Sequence, residues 1–310
     1  MIPRDMIEKI SNSLKIGEKG LIEKDLYLQG LLIELSKSGH FVENFAFKGG
    51  TCLTKAYFGY YRFSEDLDFT WINQKEFEGK TQNQTRKLVS LEINRLMQLF
   101  EGTAKKLELD FKQEKSNPRY VQLGGGNRFA TFKFWYNPTA NEKETFIKIQ
   151  LNFIDKIIHK PKKRKLAAIA EKQKQELELE YPENAFLAVE TPEFFVYSLE
   201  EIAAEKIRAL LTRRGFKARD IIDLYMLDKQ GITISSAKAM AFEKTKFALK
   251  YLKYAENLEH KHFDENPKIG EEQALLTKQP GKKFEKFAGT ALKELNKLAE
   301  EFRNKLKQKP

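Results

Sequence analysis

The chain has 310 residues, enough at about 150 residues per domain for two domains with sizeable cores, which excludes a disulfide- or metal-stapled mini-scaffold. Its 55 Lys+Arg outweigh 44 Asp+Glu to a net charge of +11, so polyanions, nucleic acid or nucleotide phosphates, are the expected partners. Hydrophobics at 41% with 24 Phe argue against intrinsic disorder, and the single cysteine, Cys52, closes no internal bridge. With no apolar run near 18 residues and no charged-then-apolar leader after Met1, the expectation is a cytoplasmic protein without a membrane partner.

Ile7, Ile10 and Leu14, then Leu28, Leu31, Leu32 and Leu35, recur at helical spacing and predict two helices broken near Gly17 and Gly20. Phe45–Lys48 reads as a short strand ending at Gly49-Gly50, and residues 51–58 as a helix capped by Thr51. Residues 66–71 alternate at period two, a half-buried strand. A helix over 85–101 precedes β-like segments at 107–113, 128–136 and 144–155, with Gly124-Gly125-Gly126 as a turn. Phe132 and Phe134 alternate as core residues do. Five basic residues in six at 160–165 form a solvated ramp into a polar helical stretch through Leu177. Beyond 198 the pattern is helical, at 198–212, 219–228, 235–255 and 285–307, with a polar loop at 260–282. The expected architecture is therefore an α/β (α+β) domain over 1–192, a mixed sheet flanked by helices, followed by an all-helical domain over 193–310.

The chemistry concentrates first around residues 48–69. On a strand, Asp66 and Asp68 share one face while Leu67 and Phe69 enter the core. Two like charges so close repel unless a cation sits between them, and Mg²⁺, which takes one or two carboxylates plus phosphate oxygens, suits the pair. The glycine turn before a helix offers backbone N–H groups to a phosphate, and glycines at 49 and 50 allow close approach. Two acids spaced i, i+2 are by themselves common on solvated strands. The combination is more specific: Lys48-Gly49-Gly50-Thr51-Cys-Leu, 14 intervening residues (52–65), then an acidic dyad within Arg62-Phe-Ser64-Glu-Asp66-Leu-Asp68-Phe. It resembles the nucleotidyltransferase superfamily and, more closely, the AbiEii/AbiGii-type toxins of abortive-infection and toxin–antitoxin systems.

A second constellation lies on the helix 198–212, where Lys206 falls inside the apolar stripe of Leu199, Ile202, Ala203, Ile207 and Leu210. A lysine there must snorkel, lose its proton or meet a negative partner, and a triphosphate is one such partner. Glu201, Glu205 and Arg208 lie off the stripe and read as solvated pairs. Arg213-Arg214 then lead into a helix carrying Asp220 and Asp223 at i, i+3. These segments resemble the second signature block of the same toxins, in the same order after the dyad. The resemblance implies that Lys206 and either Asp220 or Asp223 complete an active site beside Asp66 and Asp68; spacing does not choose between the two aspartates.

One departure stands out. Sequences of this kind often carry a third carboxylate on the strand 144–155, where this chain has Lys148-Ile149-Gln150. A neutral amide cannot act as a general base, so either the dyad suffices or Asp220 or Asp223 supplies the third negative group.

The resemblance implies a Mg²⁺-dependent nucleotidyltransferase toxin that transfers a nucleoside monophosphate from an NTP to RNA, with a tRNA 3′ end as acceptor, and that is held in check by a cognate antitoxin. The NTP phosphates would lie over Lys48, Gly49, Gly50 and Thr51, with Arg62 and Ser64 as further nucleotide contacts and Asp66 and Asp68 on the metal. Lys160, Lys162, Lys163, Arg164, Lys165, Arg213 and Arg214 are the expected nucleic-acid contacts. Two alternatives stay open: a nucleotide- or nucleic-acid-binding module without chemistry, and a transferase acting on a protein or small molecule.

Overall fold

The structure is a computed structural model and describes residues 2–126, 128–139, 143–264, 275–277 and 281–307. It divides into two compact units, one of Met1–Asp155 with Pro161–Val196, the other of Lys156–Lys160 with Tyr197–Pro310.

The first unit opens with α1 (Arg4–Leu14), α2 (Lys19–Ser36) and α3 (Gly39–Asn44). Next come β1 (Phe45–Lys48), α4 (Gly49–Cys52), which continues as one π-helical turn over Leu53–Phe58, and β2 (Asp66–Trp71). The long helix α5 (Gln82–Lys106) follows, then β3 (Val121–Gly124), β4 (Phe129–Tyr136), β5 (Thr145–Asn152) and β6 (Lys162–Lys165). Two short helices, α6 (Lys174–Glu180) and α7 (Phe186–Val189), lead to β7 (Glu193–Val196). α5 starts earlier than its apolar pattern because Thr81 and Gln84 form a reciprocal capping box in its polar first turn.

The strands form one mixed seven-stranded sheet in the order β3-β4-β5-β2-β1-β7-β6. β1 runs antiparallel to β2 and parallel to β7, while β2 runs parallel to β5. One sheet face is apolar: Phe47, Phe69, Phe132, Phe134 and Phe194 are fully buried. Phe41 of α3 packs edge-on to Phe69 at 5.0 Å, and Phe100 of α5 to Phe132 at 4.8 Å. Burying rings of this size, about 1.5–3 kcal/mol each, holds helices and sheet together.

Four expectations change here. Segment 107–113 is not a strand; only Asp110 bridges, to Trp135, because Glu108 turns with φ 54°. β3, β6 and β7 were not expected. Each is four residues without the apolar run and glycine stop that mark β1, and pairing with a neighbour makes them strands. The basic run is thus an edge strand rather than a ramp into a helix. Thr51 is no cap: the helix begins at Gly49, and the Thr51 hydroxyl serves the neighbouring strand instead.

The second unit contains α8 (Leu199–Thr212), α9 (Ala218–Asp228), α10 (Ile234–Ala248), α11 (Leu252–Glu259) and α12 (Lys282–Lys307). Ser198 and Thr233 cap α8 and α10. The single helix expected over 235–255 is two, because α10 and α11 each pack on α8 separately. Glu201 is not a solvated acid: it is 0% exposed and accepts from the amides of Ile158 and His159 at 3.2 and 2.8 Å and from Lys244 at 2.5 Å. Most of the expected loop 260–282 lies outside the described residues. Among the described residues, no helix is long and apolar enough to cross a membrane.

Candidate functional site

β1 ends at Lys48 and the chain enters α4 at once through Gly49, whose φ of +77° strains any other residue. A Cβ at Gly49 would collide with the Asp68 carboxylate, and one at Gly50 with the Arg62 guanidinium. The two glycines therefore let the turn lie directly against the dyad strand on one side and a buried arginine on the other. Arg62 is 1% exposed and donates to the Phe63 carbonyl at 2.8 Å, so it supports the turn from within. Thr51 Oγ1 lies 2.5 Å from the Asp66 carbonyl and 2.6 Å from Ser64 Oγ. With one proton to give, it donates to the carbonyl and accepts from Ser64, tying helix, loop and strand together.

Asp66 and Asp68 stand half-buried on the polar face of β2, while Leu67 and Phe69 are fully buried on the other. Across the ladder Asp66 faces Lys148 and Asp68 faces Gln150 on β5, with Lys48 of β1 on the far side of Asp68. Lys148 Nζ approaches Asp66 to 3.6 Å. Gln150, a neutral amide, is therefore the strand neighbour of Asp68 on β5. An acid that the sequence did not single out, Asp155, lies just past β5, where it binds the Lys48 ammonium at 2.9 Å. A lone acid after a strand carries no sequence signal, so only the fold reveals the pair.

Among the described residues, no group of three or more His, Cys, Asp or Glu side chains could hold a metal unaided. The dyad fits a cation that takes two carboxylates and completes its shell with water and phosphate oxygens, which is the preference of Mg²⁺.

In the second unit, Lys206 of α8 meets two acids of α9: Asp220 Oδ1 at 2.7 Å and Asp223 Oδ2 at 2.6 Å. Its side chain is 11% exposed, so the lysine of the apolar stripe has internal carboxylate partners. Arg213 closes the cluster on Asp220 at 2.9 Å. Burial pushes the Asp220 carboxyl up, but the Lys206 and Arg213 charges outweigh this and hold it below the usual range. Two cations thus balance two anions, and both aspartates touch the lysine.

Of the expected nucleic-acid contacts, Lys162, Lys163, Arg164 and Lys165 form β6 and are all exposed. Lys160 belongs to the second unit, as do Arg213, committed to Asp220, and exposed Arg214.

A family model described as "Nucleotidyl transferase AbiEii toxin, Type IV TA system" matches residues 31–308. Among solved structures, the chain is similar to MenT4, a nucleotidyltransferase toxin from Mycobacterium tuberculosis, at 17% identity and a TM-score of 0.60, covering 98% of each chain. It is also similar to JHP933 from Helicobacter pylori, at 18% identity and a TM-score of 0.44 over 94% of this chain and 95% of that one. Among curated proteins, none matches.

Proposed function

Since the chain belongs to the AbiEii family of type IV toxin–antitoxin toxins and is a nucleotidyltransferase, we propose that it moves a nucleoside monophosphate from an NTP to RNA, with a tRNA 3′ end as acceptor and Mg²⁺ as the metal. The observation that carries this reading is the contact of the glycine turn with the dyad: Gly49 has room for no side chain against Asp68. Phosphates seated on the turn therefore lie beside both carboxylates.

Asp66 and Asp68 would hold the Mg²⁺, which when bound neutralises phosphate charge and orients the leaving pyrophosphate. Gly49, Gly50 and Thr51 supply backbone N–H groups, Arg62 keeps that turn in shape, and Lys48 and Lys148 add positive charge on either side of the dyad. The acceptor oxygen bonds to the α-phosphorus, the bond to the β-phosphate oxygen breaks, and pyrophosphate leaves. Gln150 cannot take the acceptor proton, which leaves that role to a dyad carboxylate or to Asp220 or Asp223. For Lys206 to act on phosphate oxygens it must exchange Asp220 or Asp223 for the ligand. The family implies a cognate antitoxin, and the acceptor places the action in the cytoplasm.

The test incubates the protein with Mg²⁺, each α-³²P-labelled NTP in turn and total RNA. Label in RNA that falls by about 10²-fold or more in Asp66→Asn supports the reading. Label bound without transfer, or transferred with RNA omitted, overturns it in favour of a binding module or of another acceptor.

A further inference from the structure

β6 is one of the two edge strands, and Lys162, Lys163, Arg164 and Lys165 follow one another along it, all exposed. None of the four has a carboxylate partner among the described residues, and Lys163 lies over the Phe195 ring at 5.4 Å. Lysines on a free edge discourage strand-to-strand aggregation, which by itself accounts for a basic edge strand. Two further features point to a ligand. The Arg164 guanidinium lies over the Tyr57 ring, 4.4 Å from its centroid, where the π-helical turn ends. Beside that pair opens a cavity of about 300 Å³ lined by Ala56, Tyr57, Gly59, Lys165 and Thr191, with Glu171 at its wall. That is the lower end of the size range of small-ligand pockets.

The strand is also oriented toward the dyad. Lys162 pairs with Val196, and Val196 with Phe47, the residue before Lys48, so β6 begins at the glycine-turn end of the sheet and runs away from it. Three strand spacings separate it from β2, about 14 Å.

We infer that the β6 edge is a track for single-stranded RNA: its cations neutralise successive phosphates, and one base stacks at the Tyr57–Arg164 pair in the adjoining cavity. A basic strip alone suits any polyanion; a guanidinium–aromatic pair beside a slot adds a surface for an unpaired base, which a duplex or a lipid headgroup does not offer. This rests on the RNA-acceptor reading above and says where upstream nucleotides of that acceptor lie.

The experiment measures binding of the full chain to a fluorescein-labelled single-stranded RNA 12-mer by anisotropy over a salt series, without nucleoside triphosphate. Nucleotide transfer is therefore not needed for the readout. Lys162→Ala/Lys163→Ala/Lys165→Ala should reduce the salt slope by about two to three. Tyr57→Leu and Arg164→Ala should each weaken binding about tenfold. Arg164→Lys, which keeps the charge and loses the plane, should fall between parent and Arg164→Ala, a pattern that general unfolding would not give; melting curves check each variant. Affinity and slope unchanged in these variants, an equal loss for a duplex in Tyr57→Leu, or the same residue dependence for phosphatidylserine vesicles without RNA binding would each overturn the inference. Intact RNA binding with no label transfer would instead remove the proposed activity and leave the track standing.

Discussion

Gly49 and Asp68 touch so closely that the hydrogen on the glycine Cα fills the only space between backbone and carboxylate. The same glycine holds a φ of +77°, so steric and conformational demands coincide at one residue. Gly49→Ala is expected to cost about 1–3 kcal/mol from the backbone alone and to push the Asp68 carboxylate out of place. Thermal unfolding and transfer assays together check it: a variant with parental activity would separate the turn from the site.

Ser64 donates to Thr51, which donates to the Asp66 carbonyl, so it adjoins the dyad without being an acid. Ser64→Asp is expected to abolish nucleotide transfer by placing a third negative charge there, while Ser64→Ala keeps most activity and loses about 1 kcal/mol of stability. Measured transfer in both variants tests this, and an active Ser64→Asp enzyme would show that phosphates do not approach from that side.

Lys206 pairs with two acids in a nearly dry setting. Lys206→Met leaves them facing each other and should destabilise the fold by about 3–5 kcal/mol, read by urea denaturation. The Asp220 carboxyl titrates below its unfolded range, so its stabilisation is complete above about pH 4, the unfolded carboxylate value, and is lost as pH falls through the lower folded value. Asp220→Asn should therefore flatten the acid side of the stability–pH curve; an unchanged acid limb would show that other groups govern it.

A buried network in the first unit has a separate role. The Lys55 ammonium, fully buried, gives its protons to Asp25, Gln29 and Tyr60, and Tyr60 donates to Asp25 at 2.7 Å. Burial lowers the Lys55 pKa and raises that of Tyr60. Removing one partner strands a charge, so Asp25→Ala should cost about 3–5 kcal/mol, and replacing Lys55 and Asp25 together by Met and Leu considerably less. Melting midpoints of the single and double variants decide it.

Much of the site was legible in advance because its signals are local. Period-two alternation put Asp66 and Asp68 on one strand face, and two glycines before an apolar helix marked the turn. The long helices showed their apolar stripes, although α10 and α11 merged because no Gly or Pro separates them. β3, β6 and β7 were not legible: β6 reads KKRK and becomes a strand only by pairing with β7, whereas the equally short β1 is marked by its apolar residues before the glycine turn.

The sequence by itself pointed to the family through the resemblance of two motif blocks, and it determined the shared face of Asp66 and Asp68, the glycine turn and the helical character of the second half, which are matters of spacing between near neighbours. Only the tertiary structure decided where the charges ended: Lys48 on Asp155, Lys206 between Asp220 and Asp223, Glu201 buried on two amides and Lys244, and Arg62 beneath Gly50. The reason is physical. A charged side chain taken from water must find its partner wherever folding brings one, and the spacing of residues along the chain does not say which distant group that will be.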